Sequence, residues 1–169
     1  MSTTNRLPKW IAYWLGISTI VVIWDALFVL LRPASFADGS LGFIWSPAYD
    51  IYTSVDLTYG DLSNHTVEAI CFMSLIEACI VGWALVANRM GNGRLAHLLT
   101  CVVTSLTGMK TILFFVIEAM HGWSSLSHND VLPLIFVWIL PNGLWIVVPL
   151  IIATLTGRYL VRTETTLQP

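Results

Sequence analysis

Four long apolar stretches, at roughly 10–31, 67–87, 96–119 and 132–157, constrain this chain more than anything else in it. Each reaches the approximately 20 residues that a helix needs to cross a bilayer. The rest of the composition agrees. The chain is 56% hydrophobic and 11% charged, whereas a soluble domain carries roughly a quarter charged residues. Arg6 and Lys9 before the first stretch suggest a signal peptide. The stretch is too long for one, and no small-residue cleavage site follows, so it is read as a retained helix.

The basic residues set an orientation. Arg6 and Lys9 precede the first stretch, Arg89 and Arg94 separate the second from the third, and Arg158 and Arg162 follow the fourth. The first and third connections carry Asp38, Asp50, Asp56, Asp61 and Asp130, with Arg32 at the edge. The positive-inside rule puts both termini in the cytosol and those two connections in a lumen or outside. The turn 88–94 is short, which makes the second and third helices antiparallel neighbours. The expected fold is therefore an all-α integral membrane protein. It is one domain over 1–169, an antiparallel four-transmembrane-helix bundle without repeats, and the tail after Gly157 reads as a fray.

The first lumenal connection, 33–66, is too long for a bare turn. It holds Phe36, Phe43, Trp45, Tyr49, Tyr52 and Tyr59, residues suited to lying at the interface and capping the bundle. Asn64-His65-Thr66 fits a glycosylation sequon, so close to the second helix that it is expected to stay unused. Cys71, Cys79 and Cys101 fall within spans, so no disulfide framework is implied.

Charged and polar groups inside apolar helices are costly and mark functional positions. Asp25, Glu77, Lys110 and Asn142 are such groups, one per helix. Residue offsets at 1.5 Å each place all four roughly 10–15 Å below the lumenal boundary. Ser74 lies on the Glu77 face. Glu118, two turns above Lys110, joins Asp25 and Glu77 as a third candidate acid. A carboxyl in an apolar site can stay protonated near neutral pH and act as an acid, while a second, ionised one stabilises a carbocation or removes a proton. Trp24, Trp83, Trp138 and Trp145 add cation–π stabilisation if they face the same cavity. This suits proton-initiated chemistry on an alkene or epoxide that arrives from the bilayer. The histidines (His65, His97, His121, His128) are scattered, so no metal site is expected; no nucleotide motif or basic arm for nucleic acid is present, and no cofactor is expected. Plainer roles stay open: an interhelical Lys110 ion pair, a solvated Glu118, an Asn142 that serves carbonyls freed at Pro141, and lipid-facing tryptophans.

Several stretches resemble the emopamil-binding protein (EXPERA-domain) family, which includes sterol Δ8–Δ7 isomerase. They are Trp24-Asp25-Ala26-Leu27-Phe28, Tyr59-Gly60-Asp61, Ala78 to Gly82, Phe114 to Glu118 with His121-Gly122, and Asn142-Gly143-Leu144-Trp145 through Pro149. The likeness covers about 150 residues, patchily. It implies a bundle resident in the endoplasmic reticulum, with an amine- and sterol-binding cavity open to the membrane. Acids on the first two helices would shuttle a proton, and Asp25, Asn142 and Trp145 inherit family roles. The departures are Val21 where the isomerase has a histidine, Ser74 where it has its second acid, Glu77 where the family has threonine, and Lys110 without a counterpart. These turn the expectation from sterol isomerisation to isomerisation or cyclisation of a terpenoid or sterol-like substrate in natural-product biosynthesis. A non-catalytic binder of sterols or other amphiphiles and a purely structural subunit are the alternatives. A homodimer stays open.

Overall fold

The computed structural model describes residues 6–165. Its elements are α1 (Lys9–Leu30), a 3-10 turn (Gly42–Ile44), α2 (Ala48–Val55), α3 (Leu57–Gly60), α4 (His65–Arg89), α5 (Gly93–Met120), α6 (Val131–Pro133), a π-helical segment (Leu134–Ile139) and α7 (Leu140–Thr165). No strand occurs among the described residues. Four helices are long and apolar enough to cross a membrane: Lys9–Leu30, His65–Arg89, Gly93–Met120 and the continuous run Val131–Arg162. By length and composition, the chain is an integral membrane protein.

Local chemistry sets the helix ends. Asn64 accepts from the Thr66 and Val67 amides at 3.1 and 3.3 Å and so caps α4, and Asn92 does the same for α5 through Leu95 at 3.2 Å. The sequon asparagine is thus already engaged in a cap. At the other ends Gly91 (φ 81°) and Gly122 (φ 66°) take left-handed conformations that suit glycine. They turn the chain so that Asn92 and Trp123 amides reach the Ala87 and Glu118 carbonyls, each at 2.9 Å.

The long helices pack in series: α1 on α4, α4 on α5, and α5 on α7. Gly108 makes the last contact close, because a Cβ there would sit 2.8 Å from Leu150 Cγ. Small residues allow such approach where lipid offers no hydrophobic drive between helices. Between α1 and α7, Trp14 and Trp145 meet with ring centroids 5.8 Å apart. Two apolar cores fill the interior. One, towards the Leu7 end, includes Ile11, Leu15, Val81, Val103 and Ile152; the other includes Phe28, Trp45, Phe114, Leu126 and Trp138. Ile17, Phe72, Leu113 and Val147 point outward, as a lipid-facing surface requires.

Residues 31–64 fold over the Phe28 end as a cap. Trp45 Nε1 donates to the Trp24 carbonyl at 2.9 Å. Arg32, its side chain 1% exposed, donates to the Thr58, Tyr59 and Asp61 carbonyls at 3.3, 2.9 and 3.1 Å, and pairs with Glu68 at 3.3 Å. Asp56 caps α3 through the Thr58 amide at 3.0 Å and accepts from Trp138 Nε1 at 2.9 Å. From the third connection, His128 and Asn129 hydrogen-bond the Ser54 and Val55 carbonyls at 2.9 and 2.8 Å.

The expected fray after Gly157 is a correction. Helix α7 continues to Thr165, because packing on α5 continues: Thr156 is buried and Tyr159 stacks on His97 at 3.8 Å. Residues 166–169 lie outside the described residues.

Candidate functional site

Between the two apolar cores lies a cavity of about 190 Å³, walled by α1, α4, α5, α7 and the cap. Asp25, Ser74, Glu77, Lys110 and Asn142 all line it, with Trp24 and Trp145. Each helix contributes through its own periodicity. On α4, Ser74 and Glu77 are three residues apart and share a face; on α5, Thr107, Lys110, Thr111 and Phe114 repeat at three- and four-residue steps.

Lys110 and Glu77 form an ion pair, Nζ to Oε2 at 3.0 Å, with side chains 16% and 6% exposed. Lys110 Nζ also donates to Ser74 Oγ at 2.6 Å, and Thr107 Oγ1 donates to Glu77 Oε2 at 2.8 Å. Charges this deep need such pairing to offset lost hydration. Ser74 Oγ thus accepts a hydrogen bond from the same lysine that pairs with Glu77.

Asp25 is held differently. Tyr49 OH donates to Oδ1 at 2.5 Å and Tyr59 OH to Oδ2 at 3.3 Å. No lysine or arginine pairs with Asp25 within 4.0 Å among the described residues. Both phenols belong to the cap, where burial pushes them well above the ordinary tyrosine value. They stay neutral donors. Trp24 meets Tyr49 edge-on at 5.0 Å and Phe28 stacks on Tyr49 at 4.0 Å, which fixes the donor ring.

Asn142 sits just past the π-helical segment. Pro141 offers no amide hydrogen to the Val137 carbonyl four residues before it, and Asn142 Nδ2 donates to the neighbouring Trp138 carbonyl at 2.8 Å. The Tyr52 phenol, from another cap residue, lines the same cavity wall. The serving of carbonyls near Pro141 and the lining of the cavity are thus both present in Asn142.

Other candidates lie elsewhere. Glu118 is 1% exposed and its carboxyl takes the Ser125 hydroxyl, away from the cavity wall. The eight residues from Lys110 turn a helix to about 80° off the lysine's direction. Trp138 is buried and spends its N–H on Asp56, and Trp83 is 59% exposed on the outer face. Cys71 is buried, Cys79 exposed and Cys101 half-buried, all as free thiols. No cluster of three metal-ligating side chains occurs among the described residues.

Residue patterns did not single out the partners of the acids: Tyr49 and Tyr59 for Asp25, Thr107 for Glu77, or Arg32 as the clamp on the cap. Thr107 is three residues before Lys110 on the same helix face, so periodicity could have found it. The tyrosines depend on how the cap folds, which no local spacing encodes. No protein-family model matches this chain, and no curated protein matches it.

Proposed function

We propose that this protein is a membrane isomerase or cyclase that starts a carbocation reaction by protonating a lipophilic terpenoid or sterol-like substrate. The observation that carries the proposal is the pairing pattern in one cavity: Glu77 holds a lysine, whereas Asp25 holds only neutral hydroxyls. Glu77, paired with the lysine, serves as the base, and Asp25 is left as the acid. Asp25 Oδ2, with its longer tyrosine contact, carries the proton to an alkene or epoxide. The cation that follows lies among Trp24, Trp145 and the cap tyrosines, whose ring faces favour positive charge. Glu77 then removes a proton from the neighbouring carbon, and the product keeps the elemental formula of the substrate.

The cavity falls below the approximately 300–1,000 Å³ of sites that enclose a drug-sized ligand. Val21 and Pro141 line it and are also exposed, so the reactive end of the substrate enters while the remainder stays in the bilayer between α1 and α7. The orientation belongs to the same proposal: an antiparallel bundle in the endoplasmic reticulum, termini cytosolic, cap lumenal. So does kinship with the emopamil-binding group, which the cavity positions of Asp25, Asn142 and Trp145 support.

The test is conversion in deuterated water. Microsomes containing the protein receive Δ8-sterols and prenylated or epoxidised terpenoids, and products are weighed by mass spectrometry. A product of unchanged formula carrying solvent deuterium is expected. The closed Lys110–Glu77 pair also suits a second reading, a binder of amphiphiles; saturable binding without conversion would select it.

A further inference from the structure

A second, smaller cavity adjoins the first. It has a volume of about 30 Å³, above the roughly 10–15 Å³ that a water needs. Glu77 and Thr107 line both cavities, so the carboxylate stands between them. On its far side the smaller cavity presents Ser18 and Thr19 from α1 and Thr104 from α5. The rest of its wall is apolar, including Trp14, Leu15, Val81 and Val103, but four hydroxyl residues and a carboxylate give a water the polar partners it needs, which a cavity lined only by Leu and Phe does not.

A separate feature lies one turn further along. Thr100 Oγ1 is buried without a hydrogen-bond partner among the described residues, and such orphans in native interiors point to water. Thr107, Thr104, Thr100 and His97 follow one another on α5 at three- and four-residue steps. They form a file along one face of α5 from Glu77 towards the Gly93 end, in which the Thr107 and Thr104 hydroxyls also donate to the Val103 and Thr100 carbonyls at 3.0 and 2.7 Å and His97 Nδ1 meets the Gly93 carbonyl at 2.8 Å.

We propose that the smaller cavity is a water-filled branch through which Glu77 exchanges its proton with the aqueous phase at the Gly93 end of the bundle. The inference rests on the acid–base reading above and deepens it. In each turnover Asp25 loses one proton to substrate and Glu77 gains one from the cation. Resetting the site requires one proton to leave Glu77 and one to reach Asp25. The branch performs the first transfer: Glu77 passes its proton to a water, and that water passes one on along the hydroxyl file, even while substrate fills the larger cavity. Thr104 and Thr107 are positioning residues for that water.

Silver-ion labelling tests it in sealed vesicles of each orientation, in chloride-free buffer. The full chain carries Ala at positions 71, 79 and 101 and a single Thr104→Cys. Ser18→Cys, on the opposite wall, serves if the first variant fails to fold. Water supports thiolate formation and lipid does not, so labelling at 104 should run at least about tenfold faster than for Leu106→Cys on the lipid face of the same helix. It should occur from the Gly93 side. Labelling at 104 and 18 no faster than at 106 would overturn the branch, whether or not any substrate is converted. Fast labelling in a protein that converts nothing would leave the branch standing and remove the catalytic reading.

Discussion

Replacing Lys110 with methionine keeps most of the side-chain volume and leaves the Glu77 carboxylate buried without its cation. Removing one partner of a buried pair costs about 3–5 kcal/mol, because an uncompensated charge remains. Glu77 is 6% exposed and keeps the Thr107 hydroxyl at 2.8 Å, while Lys110 is 16% exposed. Those values favour the lower end, about 3 kcal/mol, since some solvation and one hydrogen bond survive. For a protein of this length that loss lowers the melting temperature by roughly 6–12 °C. The assay is thermal unfolding in a mild detergent of wild type, Lys110→Met, Glu77→Gln and the double variant. The double variant should return to within about 1 kcal/mol of wild type, since replacing both members of a buried pair is often near neutral. A Lys110→Met protein that melts with wild type would refute the reasoning. So would a double variant no more stable than Lys110→Met.

Other consequences are equally direct. Arg32→Met removes the donor to three cap carbonyls, two of them part-buried, and should cost about 1–3 kcal/mol, since those two acceptors lose their partner. Limited proteolysis should then cut within residues 31–64 faster than in wild type. Gly108→Val drives a branched side chain into Leu150 and should cost about 1–3 kcal/mol by overpacking, read from the melting temperature. Burial pushes Asp56 above the ordinary carboxylate range, against donation from Thr58 and Trp138. The folded state therefore binds that proton more tightly than the unfolded chain. The contribution is complete below the ordinary aspartate value and is lost as pH rises through the raised one. Melting curves from acidic to neutral pH should show that decline in wild type and a weaker one in Asp56→Asn.

The spans were legible because about 20 apolar residues in a row admit few alternatives, and the helices begin and end within a few residues of the expected stretches. The exception is α7, whose end is set by Tyr159 stacking on His97 rather than by hydrophobicity. Asp25, Ser74, Glu77, Lys110 and Asn142 share one cavity, as counting residues from the ends of the spans placed them. Depth along an axis is thus readable at 1.5 Å per residue. Direction around the axis is readable too: eight residues beyond Lys110, Glu118 points about 80° away from it and meets Ser125. What the cap contributes was not readable. Tyr49 and Tyr59 reach Asp25 only after residues 31–64 fold back on α1, held by Arg32 and Trp45.

In the proposed reaction Asp25 is the acid and Glu77 the base. The decisive measurement is turnover of Asp25→Asn and Glu77→Gln on whichever sterol or terpenoid of the panel the wild type converts, each variant first shown to melt cooperatively. Asp25→Asn should block protonation, with no product and no trapped intermediate. Glu77→Gln should still consume substrate and should lose the normal product, because the cation forms and is not deprotonated at the right carbon. Full wild-type turnover in both variants would contradict the account.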